Sequence, residues 1–295
     1  MAIEYTPARW WNPEDNNFVR CRLCPKRCRI APDKRGYCGV RKNIGGKLFS
    51  LVYGYPAAMH NDPIEKKPLY HFLPGTRIFS IGTLGCNLGC VFCQNDSLSA
   101  YGPLENASPR YFSPAEIVDL ALRHNCRSIA YTYNEPAVFA EYAADTAKLA
   151  RQAGLKNVFV TNGFITREAA DEIYPFIDAA NFDMKGFSED FYISMCKGTF
   201  APVLESIRFF HSLPGKHLEL TNLVIPGKND SAELVDQYLD WVEQHLGFEI
   251  PLHFSAFHPA FEFRSAPPTP PETLYRIAAH AQQRGFKYIH LGNIR

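Results

Sequence analysis

Residues 85–95 read Gly-Cys-Asn-Leu-Gly-Cys-Val-Phe-Cys-Gln-Asn, which places Cys86, Cys90 and Cys93 in a C-x-x-x-C-x-x-C run. Iron–sulfur clusters are held by cysteine thiolates, normally four for a [4Fe–4S] cube. Three closely spaced thiolates supply ligands for three irons and leave the fourth without a protein ligand. An open coordination position distinguishes a catalytic metal site from a closed structural one. The run therefore predicts an open cluster; a zinc knuckle or a chance group of thiols is the alternative.

The cysteine run directly follows the first of seven predicted strands. The strands are expected at 78–82, 128–131, 157–161, 180–184, 217–224, 252–256 and 287–291. Helical patterns fill the intervals, and Ser113-Pro114-Ala115-Glu116 carries the capping signal of a helix at 114–123. This alternation is typical of a parallel sheet with right-handed crossovers.

The number of strands decides between a closed and an open barrel. Seven strands are too few for the usual closed barrel of eight. We therefore expect an α/β fold, a partial (β/α) barrel of about six to seven parallel strands at residues 77–295. Residues 1–76 are predicted to form a small cysteine-rich extension that packs on the barrel, with an ordered loop at 63–75 between the two.

Polar segments follow the predicted strands, and active sites of parallel barrels lie at the carboxyl ends of the strands. Asp183 and Lys185 stand two residues apart at a strand end, so alternation directs both side chains toward the same side. The alternatives are ordinary turn chemistry, a solvated ion pair and, for His258, a structural histidine. The other segments of this kind contain Asn134 with Glu135, and Thr161 with Asn162.

A second group of cysteines lies in the extension, in a basic stretch. It consists of Cys21, Cys24, Cys28 and Cys38. Four thiols complete a closed zinc site or an iron–sulfur cube, and the sequence does not separate these from reduced cysteines without metal. Cys126 and Cys196 stand alone in the sequence and are predicted to be packed or free cysteines.

Composition excludes several classes of function. The net charge of +1 gives no electrostatic reason to expect nucleic acid as a partner. The first residues lack a signal-peptide pattern and the chain lacks a long apolar run, so we expect no membrane association and a cytoplasmic protein. Nine cysteines without an export signal favour metal or redox chemistry over disulfides.

The cysteine run resembles the cluster motif of the radical S-adenosylmethionine (SAM) superfamily. Together with the extension and the 63–75 loop, it resembles the radical SAM proteins of the AmmeMemoRadiSam system, which are related to pyruvate formate-lyase activating enzyme. The resemblance covers almost the whole chain. It implies a [4Fe–4S] cluster whose open iron is chelated by SAM, reductive cleavage of SAM to a 5′-deoxyadenosyl radical, and hydrogen abstraction from a substrate.

The resemblance also implies partners and binding residues. Partners would be a reductant such as flavodoxin or ferredoxin and, for an activating enzyme, a protein substrate. No catalytic residue is expected beyond the cluster and SAM. Asn134-Glu135-Pro136 looks like the superfamily's Gly-Gly-Glu amino-binding motif with the glycines replaced. The segments at 161–163 and 183–185 look like those of glycyl-radical activating enzymes.

Each of these segments offers groups that SAM needs. Glu135 or Asn134 suits the methionyl ammonium, and Lys185 suits the methionyl carboxylate. Thr161 and Asn162 suit the ribose hydroxyls, and His258 is expected near the adenine or the substrate. The competing hypotheses are radical modification of a small molecule or another macromolecule, and a non-catalytic iron–sulfur or zinc protein.

Overall fold

The computed structural model describes residues 5–99 and 110–294. The amino-terminal part forms two small antiparallel sheets, with strand orders β1-β6-β5 and β2-β3-β4. These strands are β1 (Thr6–Pro7), β2 (Trp11–Pro13), β3 (Val19–Cys21), β4 (Arg29–Ile30), β5 (Arg41–Ile44) and β6 (Lys47–Ser50).

The remaining strands form one eight-stranded sheet in which spatial order follows chain order. They are β7 (Ala58–Pro63), β8 (Arg77–Gly82), β9 (Ser128–Tyr131), β10 (Lys156–Thr161), β11 (Ala179–Asp183), β12 (His217–Val224), β13 (Leu252–Ala256) and β14 (Ile289–Gly292). Strands β8 to β14 are parallel, and β7 runs antiparallel to β8. The predicted partial barrel of parallel strands is confirmed, with β7 as an additional edge strand.

Helices cover the outer face of this sheet. Within the described residues they are α1 (Asp96–Ser99), α2 (Pro114–Arg123), α3 (Ala140–Gln152), α4 (Arg167–Ile173), α5 (Glu189–Phe191), α6 (Ala201–Ser212), α7 (Ala232–His245) and α8 (Pro271–Gln283). The predicted capping box at the start of α2 is present, with Ser113 and Glu116 bonded reciprocally. A 3-10 turn, Pro136–Phe139, precedes α3, because the Glu135 side chain caps the chain there.

Alternation along the strands sorts side chains between two layers. Ile129, Tyr131, Phe159 and Phe182 belong to the large core shared with the helices. The same core continues into the amino-terminal part of the chain, where Trp10 is buried. No helix in residues 5–99 and 110–294 has the length and apolar character needed to cross a membrane.

The inner face of the barrel is closed at the amino-terminal ends of the strands by residues 63–75, which we call the strap. Ile64 and Leu69 of the strap pack against Ile78 and Val158, residues near the starts of β8 and β10. The amide of Asn181 on β11 donates to the Pro68 carbonyl at 2.8 Å. The strap therefore forms the floor of the barrel interior and leaves its carboxyl-terminal end as the accessible mouth.

Candidate active site

Cys86, Cys90 and Cys93 lie in the loop after β8 and line a cavity of about 550 Å³ at the mouth of the barrel. Most of the predicted binding residues line the same cavity: Asn134, Glu135, Thr161, Asn162, Asp183 and Lys185. They follow β9, β10 and β11, whose carboxyl ends meet there because the strands are parallel. The volume is within the usual range for small-molecule pockets, about 300–1,000 Å³.

Backbone hydrogen bonds hold the cysteine loop in place. The amides of Gly89 and Val91 donate to the carbonyls of Cys196 and Met195 at 2.8 and 2.9 Å. These acceptors belong to a π-helical turn, Tyr192–Cys196. The Cys196 thiol is hydrogen-bonded to Cys90, which lowers the pKa of Cys90. This contact could not be predicted from the sequence, because the two cysteines are distant in the chain.

Asn134 braces the start of the cysteine loop. Its side-chain oxygen accepts from the Thr83 amide at 3.1 Å, and its amide donates to the Gly85 carbonyl at 2.8 Å. Since both ends of the side chain are used in this way, the geometry favours a positioning role for Asn134. Glu135 remains as the group suited to a ligand's ammonium.

Glu135 is buried and held by three donors. One carboxylate oxygen accepts from the Ala137 amide at 2.9 Å and the Thr161 hydroxyl at 2.8 Å, and the other accepts from the Asn162 amide at 2.7 Å. Burial raises the pKa of Glu135 to about 7, against the lowering effect of these bonds. The site therefore contains a desolvated carboxylate that a cation would stabilise.

Asn162 connects this carboxylate to the cysteine loop. Its amide nitrogen donates to the Asn87 side-chain oxygen at 3.0 Å and lies 3.9 Å from the Cys86 sulfur. Asn87 in turn donates to the Phe164 carbonyl at 2.6 Å. The segment after β10 and the cysteine loop are thus fixed relative to each other by side-chain amides.

Asp183 and Lys185 form an ion pair within the cavity lining. Burial opposes the charge of Lys185, but Asp183 and Cys90 together hold its pKa well above the ordinary value. The second oxygen of Asp183 is buried and has no hydrogen-bond partner among the described residues, and the Thr221 hydroxyl is in the same state. The lining of this cavity therefore contains both the Asp183–Lys185 ion pair and polar atoms that have no hydrogen-bond partner among the described residues.

His258 is the predicted residue that falls outside this group. Of the residues the structure describes, it is not one that lines the cavity; its ring nitrogen lies 3.0 Å from the Asn293 carbonyl. The cavity is also lined by three residues for which no functional role was predicted: Lys66, Lys67 and Tyr133. Lys67 is buried, pairs with Asp62 at 2.8 Å and lies 4.5 Å from the centre of the Tyr133 ring.

The four cysteines of the extension surround a second, much smaller cavity of about 10 Å³. Cys126 lies apart from both groups, with its sulfur 3.5 Å from the Asn61 side chain. Within the described parts of the chain, no three His, Cys, Asp or Glu side chains are arranged to hold a single metal ion.

The donor set at the mouth fits a [4Fe–4S] cluster together with a polar ligand. Three thiols share one cavity, as cluster ligation requires. Glu135, Lys185 and the unpaired oxygen of Asp183 offer the opposite charges and hydrogen-bonding groups that an amino acid and ribose need.

A partial parallel barrel with a three-cysteine loop after its first parallel strand defines the class of radical SAM proteins. The Radical SAM superfamily model matches residues 80–238. The chain belongs to this superfamily, and membership implies a [4Fe–4S] cluster, binding of SAM and an electron donor.

The chain is also similar to known proteins in sequence and in fold. The uncharacterized protein MJ0808 of Methanocaldococcus jannaschii is 42% identical over 287 residues, 97% of this chain and 85% of the relative. The fold is similar to that of a radical SAM methyltransferase from Sphaerobacter thermophilus, with a TM-score of 0.58, 14% identity, and coverage of 98% of this chain and 78% of that one. It is also similar to Streptococcus suis SuiB bound to S-adenosylmethionine, with a TM-score of 0.53, 13% identity, and coverage of 72% and 49%.

Proposed function

We propose that this protein is a radical SAM enzyme that abstracts hydrogen from a substrate in the manner of glycyl-radical activating enzymes, and that it belongs to the AmmeMemoRadiSam group. The observation that carries the proposal is the single cavity shared by the three thiols, Glu135 and Lys185. When bound, the cluster supplies the electron that cleaves SAM to methionine and a 5′-deoxyadenosyl radical. The chain's own residues hold SAM and exclude water around it.

Charge assigns the two ends of the methionyl group. Glu135 accepts the ammonium, because its buried carboxylate is hydrogen-bonded only by backbone amides and a hydroxyl, and burial raises its pKa. Lys185 donates to the methionyl carboxylate, exchanging part of its bond with Asp183. Both residues adjoin the thiols, so SAM held this way lies next to Cys86 and Cys90.

The hydroxyls of SAM meet groups farther along the same wall. The unpaired oxygen of Asp183 accepts from a ribose hydroxyl, and Asn162 and Thr161 hold the segment that this hydroxyl approaches. Asn134 positions the cysteine loop through its bonds to Thr83 and Gly85. His258 lies at the rim, where its ring is hydrogen-bonded to the Asn293 carbonyl. Asn293 itself lines the cavity.

The substrate approaches from the part of the mouth that SAM leaves free. Tyr133 and Lys67 also line the cavity; Tyr133 gives it an aromatic face, and Lys67 lies deeper, paired with Asp62. An activating enzyme would admit a backbone loop carrying a glycine here. A small molecule is the second candidate, supported by a cavity volume of about 550 Å³.

The decisive experiment uses anaerobically reconstituted protein reduced with dithionite and mixed with SAM. Formation of 5′-deoxyadenosine, together with a change in the cluster EPR signal when SAM is added, is the expected result. If the EPR signal does not change when SAM is added and no deoxyadenosine forms, the proposal of a radical SAM enzyme is wrong and a non-catalytic iron–sulfur protein is favoured. Replacing dithionite by reduced flavodoxin or ferredoxin then tests the proposed donors.

A second assay distinguishes the substrate classes. A candidate partner protein is added with SAM, and the sample is frozen for EPR. A glycyl doublet on the partner is expected for an activating enzyme. Deoxyadenosine that increases with a small molecule, without a radical on the partner, would identify the other substrate class.

A further inference from the structure

The cysteines of the extension form one site in space. Cys21, Cys24, Cys28 and Cys38 come from strand β3, the turn after it and the segment before β5, and all four line the same small cavity. The amide of Cys21 donates to the Cys28 carbonyl at 2.9 Å. Four thiols that converge on one enclosed space satisfy the ligand count of a closed metal centre.

A buried cation faces the same cavity with unused donors. Arg41 is 1% exposed and lines the cavity beside Cys21 and Cys38. One terminal nitrogen donates to the Arg9 carbonyl at 2.8 Å and pairs with Glu141. Its Nε and its other terminal nitrogen have no partner among the residues that the structure describes. Unpaired buried donors are costly, so the side chain indicates an anionic group in the cavity.

The spacing of the thiols separates an iron–sulfur cluster from zinc. Four thiolates that bind a single zinc ion place their sulfur atoms at about 2.3 Å from it. In the described chain, no three of these side chains meet the geometry of a single ion. Cys86, Cys90 and Cys93 are likewise not arranged to hold a single ion, and in this superfamily the corresponding cysteines bind a [4Fe–4S] cluster.

The second site adjoins the first. Asn87, the residue after Cys86, lines the small cavity of the extension. A Cβ atom on Gly89 would clash with the Tyr37 hydroxyl, and one on Gly85 would clash with the Cys38 carbonyl. The two cysteine loops are therefore in direct contact, and Gly85 has no room for a side chain because the Cys38 backbone blocks it.

We propose that Cys21, Cys24, Cys28 and Cys38 hold a second iron–sulfur cluster, closed by four thiolates, compensated by the Arg41 guanidinium and packed against the catalytic cysteine loop. This centre has no open iron for SAM. Its presence is independent of the substrate and of whether the first cluster is active.

The test uses the full chain with Cys86, Cys90 and Cys93 all changed to alanine, so that iron reports on the extension alone. After anaerobic reconstitution we expect about four iron and four sulfide per chain, the content of a single cube. We also expect that the EPR signal of the cluster in its reduced state does not change when SAM is added. One zinc per chain without sulfide, or no metal, would overturn the proposal.

A matched pair of variants excludes adventitious iron. Adding Cys126→Ala to the triple variant should leave the iron content unchanged. Adding Cys24→Ala and Cys38→Ala should reduce it at least tenfold; iron retained after this change would show non-specific binding and overturn the assignment. A folding failure of the latter variant does not affect the measurement on the triple variant.

The role of Arg41 is tested by the reduction potential of the same centre. Arg41→Met should make the cluster harder to reduce, or prevent its formation, because a nearby positive charge is lost. Arg41→Lys should restore most of the potential, since it keeps the charge. Equal potentials in all three proteins would show that Arg41 does not compensate the cluster.

Discussion

Glu135 and Glu219 are buried at opposite ends of the same barrel, and their pKa values shift in opposite directions. Three neutral donors hold Glu135, and burial raises its pKa to about 7. Burial also opposes the charge of Glu219, but bonds from His217 and His253 lower its pKa to about 2. The difference lies in the direct partners: two histidine rings bond to Glu219 at the floor, whereas backbone amides and a hydroxyl bond to Glu135 at the mouth.

The floor is a completed polar cluster. Glu219 accepts from the amides of Tyr70 and His71 at 3.1 and 2.8 Å and contacts the His217 and His253 rings at 2.9 and 2.6 Å. At the mouth, by contrast, an oxygen of Asp183 has no partner in the described part of the chain. This comparison indicates that floor residues serve the fold, whereas mouth residues serve a ligand.

The largest expected effect is at the mouth. Cys86→Ala, Cys90→Ala and Cys93→Ala should each reduce deoxyadenosine formation to background, because each removes a thiolate from an already open cluster. Cys126→Ala, which removes a buried thiol outside both groups, should retain activity. Deoxyadenosine assays on protein with measured iron content check this. Full activity with an intact cluster in any of the three variants would contradict the ligand assignment.

At the floor, the expected loss is in stability. Glu219→Ala should lower the free energy of unfolding by about 1–3 kcal/mol, because it leaves buried donors without an acceptor. Glu249→Ala is the control: its carboxylate pairs with Lys287 at the surface, and such pairs contribute about 0–1 kcal/mol. Urea denaturation under anaerobic conditions measures both. Similar stabilities for the two variants would remove the distinction between floor and mouth.

Glu135→Gln should weaken SAM rather than the fold. Loss of a charged acceptor should cost about 1.5–3 kcal/mol, roughly one to two orders of magnitude in Kd. Glu205→Gln on the exposed side of α6 serves as the control. Equilibrium dialysis with labelled SAM measures the difference. An unchanged Kd would mean that the ammonium is held elsewhere and that Glu135 is another brace, like Asn134.

The mouth could be predicted from the sequence because its signals are local. The Cys86–Cys93 spacing, the polar residues after each strand and the Asp183–Lys185 alternation depend only on neighbours in the chain. Parallel strands then bring all these segments to one end. The use of Asn134 as a brace was not predictable, because its partners Thr83 and Gly85 lie on a different loop.

The floor could not be predicted because its contacts depend on register between distant strands. His253 and His290 are distant in the sequence and meet because β13 and β14 pair at those positions. His217 joins them through Glu219, which contacts both His217 and His253. Strand β7 (Ala58–Pro63) was not predicted, because its sequence is polar and ends in proline. These features are unfavourable in a central strand and tolerated at an edge.

The pH dependence of SAM binding provides a finer test of the mouth. The carboxyl of Glu135 titrates at about 7, so it carries its charge above that pH and loses it below. SAM affinity should therefore fall by up to about tenfold per unit as the pH decreases below 7. Glu135→Gln should give a flatter profile. Parallel profiles for the two proteins would assign the titration to another group.

The smallest expected effect is the acid sensitivity of the floor. Burial, together with the neighbouring His253 and His71, lowers the pKa of His290 from 6.5 to about 4, while Glu219 acts in the opposite direction. Between these two pKa values His290 is protonated in the unfolded chain but not in the folded chain. The free energy of unfolding therefore decreases as the pH falls from 6.5 to 4. His290→Gln removes the titrating side chain and retains a group that can hydrogen-bond with His71.

The variant should therefore lose less stability than the wild type over that interval. The expected difference is about 1 kcal/mol, since His290 is only partly buried and solvent screens it. Urea midpoints at pH 6.5 and 4.5 for both proteins measure it. Glu219 contributes to both proteins alike and mainly below pH 4.5, where its carboxylate is lost in the unfolded state first. A wild type and a variant with equal acid sensitivity would place the titrating group of the floor on another histidine.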